Sequence, residues 1–410
     1  MQYVPLKKIY YQDQSKWKVE YTARFNSNNA KHLNFFVKEH NYKEKYQTFF
    51  CYTQELAMLQ NNIMTAALEL VRFIPNLPGA GINQFLQTCL FEEIQFSNKI
   101  EGVRSSRKEL TEAYLQDSTP VRYVRLWGIV NKYKKIIEGI PIPISTCADI
   151  RKLYDDFILQ EIQRDNPKNL PDGKIFRKDA VEVITKTQRI IHTGIFPEDD
   201  IILAMQNALD ILHDKSIPSL IRISIFHYLF GYIHPFYDGN GRMARFISSY
   251  FLAKELDVIV AMRLSVMIKS NISKYYSAFS HTNNNRNCGD LTPFITQSLT
   301  LVLGTIQNTH KSLVNKLERF KKLEAKLPQV FKNSKIEDKV MMGIYHILLQ
   351  GSIFSNYGAT VEDIASTLHK SRNTITKRLA IANKEHFIEY KKDKPYCYKL
   401  NLKILENINA

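Results

Sequence analysis

The sequence predicts a mainly helical protein of two or three domains. Its 410 residues are more than one ordinary domain needs and leave ample material for a core. Apolar residues recur at the three- and four-residue spacing of a helix in several stretches, and the clearest, over residues 53–73, repeats Leu56, Leu59 and Ile63. Residues 218–232 are apolar on every side, which indicates a helix buried in the core.

Composition narrows the functional classes. Apolar residues make up 44% of the chain and charged residues 23%, which is ordinary for a soluble globular protein. No apolar run reaches the ~18 residues of a membrane helix, and the N-terminus lacks the layout of a signal peptide, so we expect a cytoplasmic protein without a membrane partner. The five cysteines lie far apart and are predicted to be buried thiols. A formal charge of +16 suits nucleic acid or a lysine-rich surface, and the even spread of lysines favours the surface.

Residues 232–245 carry the densest chemistry. They read Tyr-Ile-His-Pro-Phe-Tyr-Asp-Gly-Asn-Gly-Arg-Met-Ala-Arg. Pro235 ends the preceding helix, and the residues 238–241 form a glycine-rich turn that opens onto a second helix from Arg242. Backbone N–H groups at a helix start have no partner inside the helix. Together with the positive end of the helix dipole, they form a seat for an anion.

The side chains around this turn suit phosphate chemistry. Arg242 and Arg245 lie three apart on the first helical turn, and planar guanidinium groups match phosphate oxygens. Asp238 puts one carboxylate beside the seat, which suits a Mg²⁺ that keeps most of its waters. His234 is the nearby group that can accept a proton near neutral pH. The turn predicts a nucleotide site with a general base. The alternative is a helix corner whose Asp and Asn are caps and whose arginines are solvated.

The run from His234 to Arg245 matches every fixed position of H-P-F-x-[D/E]-G-N-G-R-x-x-R, and by this motif the chain resembles the Fic family. The resemblance implies an all-α core and the transfer of AMP from ATP, with Mg²⁺, to a hydroxyl of a target protein. It makes His234 the catalytic base. Gly241 favours nucleotidyl transfer, because the Doc branch, which acts as a kinase, replaces this glycine. The implied ATP-binding residues are Asp238 (also the metal ligand), Gly239, Asn240, Gly241, Arg242 and Arg245.

A shorter motif ends a helix predicted over residues 83–100. Ser97 and Glu101 lie four apart on one face, and Gly102 stands where a helix C-cap favours a positive φ. Alone, this pattern describes a surface carboxylate. In the Fic family, [S/T]-x-x-x-E-[G/N] lies on an inhibitory helix. The resemblance therefore implies that Ser97, Glu101 and Gly102 are inhibitory, with Glu101 clamped bidentately on Arg245 where the γ-phosphate of ATP must sit.

Three further features have predicted roles: a short hairpin, two residues that follow the motif, and a histidine in the core. Residues 174–177 and 187–197 are predicted to form a short hairpin by their β-branched residues and closing Gly and Pro. In the family this hairpin is a flap that holds the target by pairing with its backbone, and it would dock the target through Ile190, Ile191, His192 and Thr193. Tyr275 and Asn283 are expected to reach the nucleotide, although Tyr275 equally suits core packing. His227 is predicted to be a hydrogen-bonded core histidine.

The tail resembles a winged helix–turn–helix. Helices are predicted over residues 340–349, from Thr360 and over 371–383, followed by a hairpin over 388–400. The third helix would be the recognition helix, and it would point Arg372, Asn373, Thr376 and Lys377 outward. The sequence leaves open whether this unit contacts DNA or protein.

The expected fold class is therefore an all-α Fic core with a short β-hairpin flap, plus a C-terminal winged helix–turn–helix domain. The expected domains are an N-terminal helical region with the inhibitory helix (1–110), the Fic catalytic core (111–310), a linker helix (311–335) and the winged helix (336–410). The expected function is an autoinhibited protein adenylyltransferase acting on Ser, Thr or Tyr of a target protein. A nucleotide-sensing DNA-binding regulator, UMP transfer and removal of AMP stay open as alternatives, as does a homodimer.

Overall fold

The computed structural model describes residues 3–116, 119–184, 190–332, 338–391 and 396–407. Within these ranges the helices are α1 Leu6–Gln12, α2 Gln14–Phe25, α3 Gln54–Phe73, α4 Gly79–Ile100, α5 Arg107–Tyr114, α6 Trp127–Ile137, α7 Cys147–Tyr154, α8 Gln160–Asp165, α9 Glu198–His213, α10 Ser219–Ile233, α11 Asn240–Glu255, α12 Val258–Ala261, α13 Leu264–Ser270, α14 Ile272–Thr282, α15 Thr292–Glu324, α16 Leu327–Lys332, α17 Lys339–Phe354, α18 Val361–Leu368, α19 Arg372–Lys384 and α20 Leu402–Glu406. The strands are β1 Ala30–Val37, β2 Tyr46–Cys51, β3 Glu182–Ile184, β4 Ile190–Thr193, β5 Ala359–Thr360, β6 Ile388–Lys391 and β7 Cys397–Leu400. They form three antiparallel sheets, β1–β2, β3–β4 and β5–β7–β6.

Helix α10 lies at the centre of the helical core. It packs against α9, α11 and α15, and it is buried on all sides except near its ends. A helix that is apolar all round must be enclosed by other elements, so the sequence prediction for this segment is confirmed. The helix ends at Ile233, and half-buried His234 follows it at the start of residues 234–239, which we call the catalytic turn after the role predicted for His234. The five cysteines are buried thiols, as predicted.

Helix α4 lies between two helices of the core, α11 and α13, and the C-terminal elements. On one side it packs against α11 and α13, where the buried carboxylate of Glu93 accepts hydrogen bonds from the N–H (2.7 Å) and hydroxyl (2.6 Å) of Ser265. Burial raises the pKa of Glu93 to about 7. On the other side α4 packs against α17, and the Thr88 hydroxyl lies 3.0 Å from that of Ser355. The helix is therefore held firmly from both sides.

The N-terminal region differs from the expectation of a helical unit over residues 1–110. Strands β1 and β2 pair within it, and β1 buries alternate residues, namely Leu33, Phe35 and Val37. The alternation was hidden because the outward-facing Phe36 is also apolar, so that residues 35–37 read as a continuous apolar run. The long helix also differs from expectation. It begins in the core at Thr292 and continues unbroken to Glu324, so the domain boundary expected at 310 falls inside α15.

The C-terminal elements follow the predicted order. Helices α17, α18 and α19 precede the β6–β7 hairpin, and Thr360 caps α18 through a reciprocal pair of hydrogen bonds with Asp363. Arg372, Asn373, Thr376 and Lys377 are exposed on α19. Residues 392–395, at the predicted tip of the wing, lie outside the described residues. The winged-helix name and DNA binding remain predictions. Within the described ranges no helix has both the length and the apolar character needed to cross a membrane.

The packing of α4 on α17 gives a first prediction. A Cβ on Gly81 would lie 2.8 Å from the Phe354 ring, whereas a Cβ on Gly79, two residues earlier in the helix, would meet nothing within 4 Å. We expect Gly81→Ala to destabilise the protein by about 1–3 kcal/mol through overpacking. The matched control Gly79→Ala should leave stability unchanged or slightly higher. Urea denaturation of both variants checks this, and equal midpoints would contradict the described packing.

Candidate active site

The catalytic turn is shaped by two residues in the left-handed region. His234 caps α10 with φ 53°, and Gly239 precedes α11 with φ 82°. The Met243 N–H donates to the Gly239 carbonyl (2.9 Å), so the N–H groups of residues 240–242 come before the first rung of the helix. The N–H of Gly239 itself donates to Asp238 Oδ1. The predicted anion seat therefore consists of residues 240–242, and Gly239, expected among the ATP-binding residues, uses its N–H within the turn.

His234 is half-buried beside this seat. Its Nδ1 lies 3.3 Å from the Gly231 carbonyl, and because a carbonyl only accepts, this nitrogen carries the proton. Nε2 is then the proton acceptor. Burial lowers the pKa of His234 to about 4, an effect that the nearby His192 and Arg177 reinforce. The imidazole is therefore neutral, and able to act as a base, throughout the physiological pH range.

Arg177 fixes the backbone around His234. Its side chain is fully buried, and it donates to the carbonyl oxygens of His234 (2.9 Å), Ile195 (2.8 Å) and Asp179. Asp179 precedes β3 and Ile195 follows β4, so one guanidinium joins both ends of the hairpin to the catalytic turn. Burial lowers the pKa of Arg177 to about 10. A Cβ on Gly194 would lie 2.4 Å from the Arg177 guanidinium, which explains why glycine occupies that position.

Two carboxylates hold the guanidinium of Arg242. Asp238 Oδ1 lies 3.3 Å from Nη2, and Glu161 Oε2 lies 3.7 Å from Nη1. Glu161 is nearly fully buried, and this burial raises its pKa to about 7. The carboxylate of Asp238 is 39% exposed, so it remains accessible at the edge of the seat. Arg242 is thus oriented by Glu161 on its buried side and by Asp238 on its more exposed side.

Arg245 is held by the end of α4. It is 1% exposed and donates from Nε to Ser97 Oγ (3.0 Å) and from Nη2 to the Ser97 carbonyl (2.9 Å). Its Nη1 lies 2.8 Å from Glu101 Oε1. The bidentate Glu101 clamp that the sequence suggested was wrong, because Ser97 already takes two of the donor nitrogens. Glu101 instead makes a single contact, and its side chain is 32% exposed.

Backbone geometry places Glu101 at this point. Gly102 has φ 77°, Val103 N–H donates to the Asn98 carbonyl (2.9 Å) and Gly102 N–H to that of Lys99 (3.3 Å). This pair of bonds is the Schellman ending that a glycine after a helix predicts. A Cβ on Gly241 would lie only 2.1 Å from Glu101 Oε1. Gly241 therefore leaves the space that the carboxylate occupies.

Two residues that were predicted to bind the nucleotide, Asn240 and Tyr275, use their side chains for contacts within the protein. The Asn240 amide bonds at both ends to the Phe236 backbone (3.0 and 2.7 Å), so it braces the turn, and only its N–H faces the seat. Tyr275 is buried with its hydroxyl 2.8 Å from His227, which is a core position, whereas the neighbouring Tyr276 is 50% exposed. A direct nucleotide contact by the side chain of Asn240 or Tyr275 is not supported.

Asn283 and His227 also make hydrogen bonds to neighbouring side chains. Asn283 Oδ1 accepts from the Tyr228 hydroxyl (2.7 Å), and the side chain is half-buried at the end of α14. His227 bonds Ser248 as well as Tyr275, each at 2.8 Å, and burial lowers its pKa to about 4. The prediction that His227 is a hydrogen-bonded core histidine is confirmed, and a nucleotide contact by Asn283 stays a prediction.

The hairpin predicted to be the flap is present as β3 and β4, and we keep the name flap for it. His192 is buried with Nε2 2.6 Å from the Tyr232 carbonyl, and Thr193 Oγ1 lies 2.8 Å from His40 Nδ1. Ile191 is exposed, and Ile190 is half-buried. Of the four predicted docking residues, His192 and Thr193 therefore anchor the flap to the protein. Residues 187–189 of the predicted hairpin lie outside the described residues.

The first arm of the hairpin was wrongly placed at residues 174–177. The N–H groups of Lys174, Ile175 and Phe176 all donate to the Glu198 carboxylate at 2.7–2.9 Å. Three successive N–H groups around one anion form a nest, a conformation that excludes an extended strand. The first strand is β3, six residues further along the chain.

Several residues that matter here escaped sequence reasoning. Arg177, Glu161 and Glu198 act on backbone groups or on other side chains far away in sequence, and no motif marks them.

For metal binding, no group of three or more His, Cys, Asp or Glu with a suitable arrangement occurs among the described residues. Asp238 is a single exposed carboxylate beside an anion seat. This donor set fits a Mg²⁺ that takes its remaining ligands from phosphate oxygens and water.

Comparison with known proteins identifies one domain. Residues 145–252 match the model of the Fic/DOC family, and no curated protein matches the chain. Among solved structures the chain is similar to a Fic family protein from Desulfovibrio desulfuricans G20 (20% identity, 87% of this chain and 98% of that one, TM-score 0.49). It is also similar to Fic-1 from C. elegans, residues 134–508 (19% identity, 63% and 74%, TM-score 0.42), and to a Fic domain protein from Bacteroides thetaiotaomicron (16%, 63% and 96%, 0.40). The family assignment stands on the matched residues 145–252.

The role of Arg177 is open to test. Arg177→Met would leave the partly buried carbonyls of Asp179, Ile195 and His234 without this donor, at a cost of about 1–3 kcal/mol for each carbonyl that water cannot reach. We expect lower stability and faster amide hydrogen exchange in residues 179–184 and 190–195. Arg222→Met is the control, because Arg222 donates to a single carbonyl at 3.2 Å and is partly exposed. Unchanged exchange in Arg177→Met would contradict the assigned role.

Proposed function

Because residues 145–252 of this chain form a domain of the Fic/DOC family, we propose that the protein transfers AMP from ATP to a Ser, Thr or Tyr hydroxyl of a target protein. Domains of this family typically transfer a nucleoside monophosphate to proteins. The observation that carries the proposal is the neutral imidazole of His234 beside the anion seat of residues 240–242. Two buried guanidinium groups, of Arg242 and Arg245, complete a site for a polyphosphate.

In this mechanism His234 Nε2 takes the proton of the attacking hydroxyl. The hydroxyl oxygen bonds to the α-phosphorus while the bond to the oxygen bridging to the β-phosphate breaks, and pyrophosphate leaves with that electron pair. General-base help of this kind contributes roughly 10²–10⁴-fold. The N–H groups of residues 240–242 and the guanidinium of Arg242 stabilise the charge that develops on the phosphates. His234 later releases its proton to solvent.

One Mg²⁺ fits this arrangement, with Asp238 as the protein ligand. When bound, it would neutralise charge on the α- and β-phosphates. In the described structure Asp238 Oδ1 faces Arg242, so this residue both orients the guanidinium and offers its carboxylate at the edge of the seat.

Arg245 is the residue we assign to the γ-phosphate. Glu101 occupies its Nη1, and the carboxylate adds negative charge where the phosphate must bind. Ser97 would keep its two hydrogen bonds to Arg245 when Glu101 leaves. Relief of inhibition therefore requires a side-chain rotation of the half-exposed Glu101, and the buried helix α4 can stay in place.

A second candidate is a DNA-binding regulator whose nucleotide site acts as a sensor. The observation in its favour is the exposed face of α19, with Arg372, Asn373, Thr376 and Lys377, on a unit whose α17 packs against the inhibitory helix α4. Salt-dependent DNA binding that His234→Ala leaves unchanged would support this candidate. A panel of labelled nucleotides separates AMP from UMP transfer, and a target modified in advance tests removal of AMP.

The transfer assay uses ATP labelled at the α-phosphate, Mg²⁺ and a cell lysate. A hydrogen bond to a charged group contributes about 1.5–3 kcal/mol, so freeing Arg245 by Glu101→Gly should raise labelling roughly 10- to 100-fold. Adding His234→Ala to Glu101→Gly should lower it by roughly 10²–10⁴-fold while ATP binding persists.

Glu138→Gly is a closely matched control for Glu101→Gly. Glu138 also caps a helix, at φ −80° against −85° for Glu101, and the following Gly139 has φ 68°. It is exposed and lies outside the site. Equal activation by both substitutions would show that a flexible helix end, and not the carboxylate, controls activity. Full activity after His234→Ala would contradict the base assignment.

The pH dependence follows from the lowered pKa of His234. With a pKa of about 4, the base form predominates above that pH, so kcat of Glu101→Gly should stay flat from pH 8 to about pH 5. A rate that halves near pH 6.5 would contradict this assignment. His192 and His227 also have pKa values lowered to about 4 by burial. At these three histidines the unfolded chain binds more protons than the native state between about pH 4 and 6.5, so their contribution to stability falls as the pH drops through this window. The buried carboxyls of Glu93 and Glu161, whose pKa values are raised to about 7, act in the opposite direction.

A further inference from the structure

A groove opens beside the flap, and one of its walls is the hairpin formed by β1 and β2. Phe36, Lys38 and Lys45 contribute from this hairpin, Phe196 from the segment after β4, and Leu203 from α9. The groove encloses about 540 Å³, which is enough for a few side chains of a bound polypeptide. We call it the hairpin groove.

The hairpin is fastened to the end of α10, just before His234, and to the flap. The Tyr232 hydroxyl accepts from the Lys38 N–H (2.7 Å) and donates to the Lys38 carbonyl (3.2 Å). His40 bonds Thr193, the last residue of β4. Gly194, which lines the groove, is so close to the active site that a Cβ there would lie 3.0 Å from that of His234. The groove therefore borders the backbone that carries His234.

The floor of the groove is apolar and exposed. Phe36 is 54%, Phe196 52% and Leu203 64% exposed, three large side chains that meet in one concave surface. Scattered exposed apolar residues are normal on proteins, but a contiguous group within a cleft indicates a binding surface.

The rim of the groove is basic. Lys38 and Lys45 are exposed, and among the described residues neither ammonium has a carboxylate within 4.0 Å. The neighbouring Glu39 and Glu44 are engaged by the 284–285 segment, with contacts of 2.8–2.9 Å. Asp200 is the acidic residue among those that line the groove. The unpaired positive charge favours an acidic partner.

We propose that the hairpin groove binds the segment of the target protein next to the modified hydroxyl, and that it selects a bulky apolar side chain flanked by acidic residues. This inference rests on the proposed function, because the groove begins where the flap would hold the target. A second copy of the chain is a poor occupant, since its net charge is +16. The groove is lined by Thr193 and Gly194, at the end of the hairpin that would hold the target, and this position favours a segment of the target protein over nucleic acid.

Peptide binding tests the groove without chemistry. The full chain carrying Glu101→Gly and His234→Ala is titrated with two fluorescein-labelled peptides, and anisotropy is measured. Both contain one Ser flanked on each side by Phe, with two Glu at each end in one peptide and two Lys in the other. We expect the Glu peptide to bind more tightly. Lys38→Glu with Lys45→Glu should weaken it by roughly 3- to 30-fold, the range expected for two exposed ion pairs.

Two further variants keep this test specific. Lys321→Glu with Lys322→Glu makes the same change in net charge on the exposed face of α15 and should leave binding unchanged. Tyr232→Phe keeps the ring, frees the hairpin at Lys38 and should weaken the Glu peptide several-fold while the Kd for ATP stays the same. Equal binding of the two peptides, or equal loss with both lysine pairs, would overturn the proposal.

Transfer of labelled AMP to the Glu peptide is measured separately, in the Glu101→Gly chain with His234 intact. Selective binding without transfer would overturn the proposed function and leave the groove as a peptide site. Transfer that is unaffected by Lys38→Glu with Lys45→Glu would keep the function and overturn the groove.

Discussion

The structure depends on how a fully buried guanidinium, that of Arg245, is satisfied. A buried charge without partners costs several kcal/mol, so a chain that places arginine at 1% exposure must supply acceptors around it. Helix α4 supplies them through the Ser97 hydroxyl, the Ser97 carbonyl and the Glu101 carboxylate. The first two belong to the body of the helix, and the third is a side chain at its end that is 32% exposed. If a phosphate replaced Glu101, as we propose, the two Ser97 acceptors would still hold the buried charge.

The location of α4 gives this exchange a firm base. Glu93 fixes the helix to α13 on one side, and Gly81 and Thr88 pack it against α17 and Ser355 on the other. The helix that carries Glu101 therefore belongs to the core, unlike a loose lid at the surface. The helix finishes in the Schellman ending at Gly102, and this turn of the chain places Glu101 beside Gly241. The space left by Gly241 and the carboxylate of Glu101 fit one another across the site.

Arg177 supports the other half of the site in the opposite way. Among the described residues its guanidinium donates to backbone carbonyls, at both ends of the flap and at Ile233 and His234. The position of the base and that of the flap are consequently coupled through one side chain. The hairpin β1–β2 adds to this arrangement through Tyr232 and His40, so a region far away in sequence borders the catalytic turn.

Local patterns predicted much of this site, and long-range contacts did not. The residues 234–245 and the helix ending at Gly102 were readable because each depends on neighbours within a few positions. The helices and hairpin of the C-terminal unit were readable for the same reason. Asn240 was misjudged because its partner is the Phe236 backbone, which no side-chain pattern reveals. Tyr275 and Tyr276 are adjacent, and only packing decides which ring is buried. The Glu198 nest depends on three N–H groups whose side chains are irrelevant to it.

The central claim is that Glu101 occupies, on Arg245, the position of the γ-phosphate. The most direct measurement compares the Kd of ADP with the Kd of ATP, by calorimetry with Mg²⁺, in the wild-type chain and in Glu101→Gln. His234→Ala is included in both to prevent turnover. If the claim holds, the wild-type chain binds the two nucleotides about equally, and the substitution tightens ATP roughly tenfold or more while ADP is unchanged. A ratio of the two Kd values that is the same with and without Glu101 would contradict it.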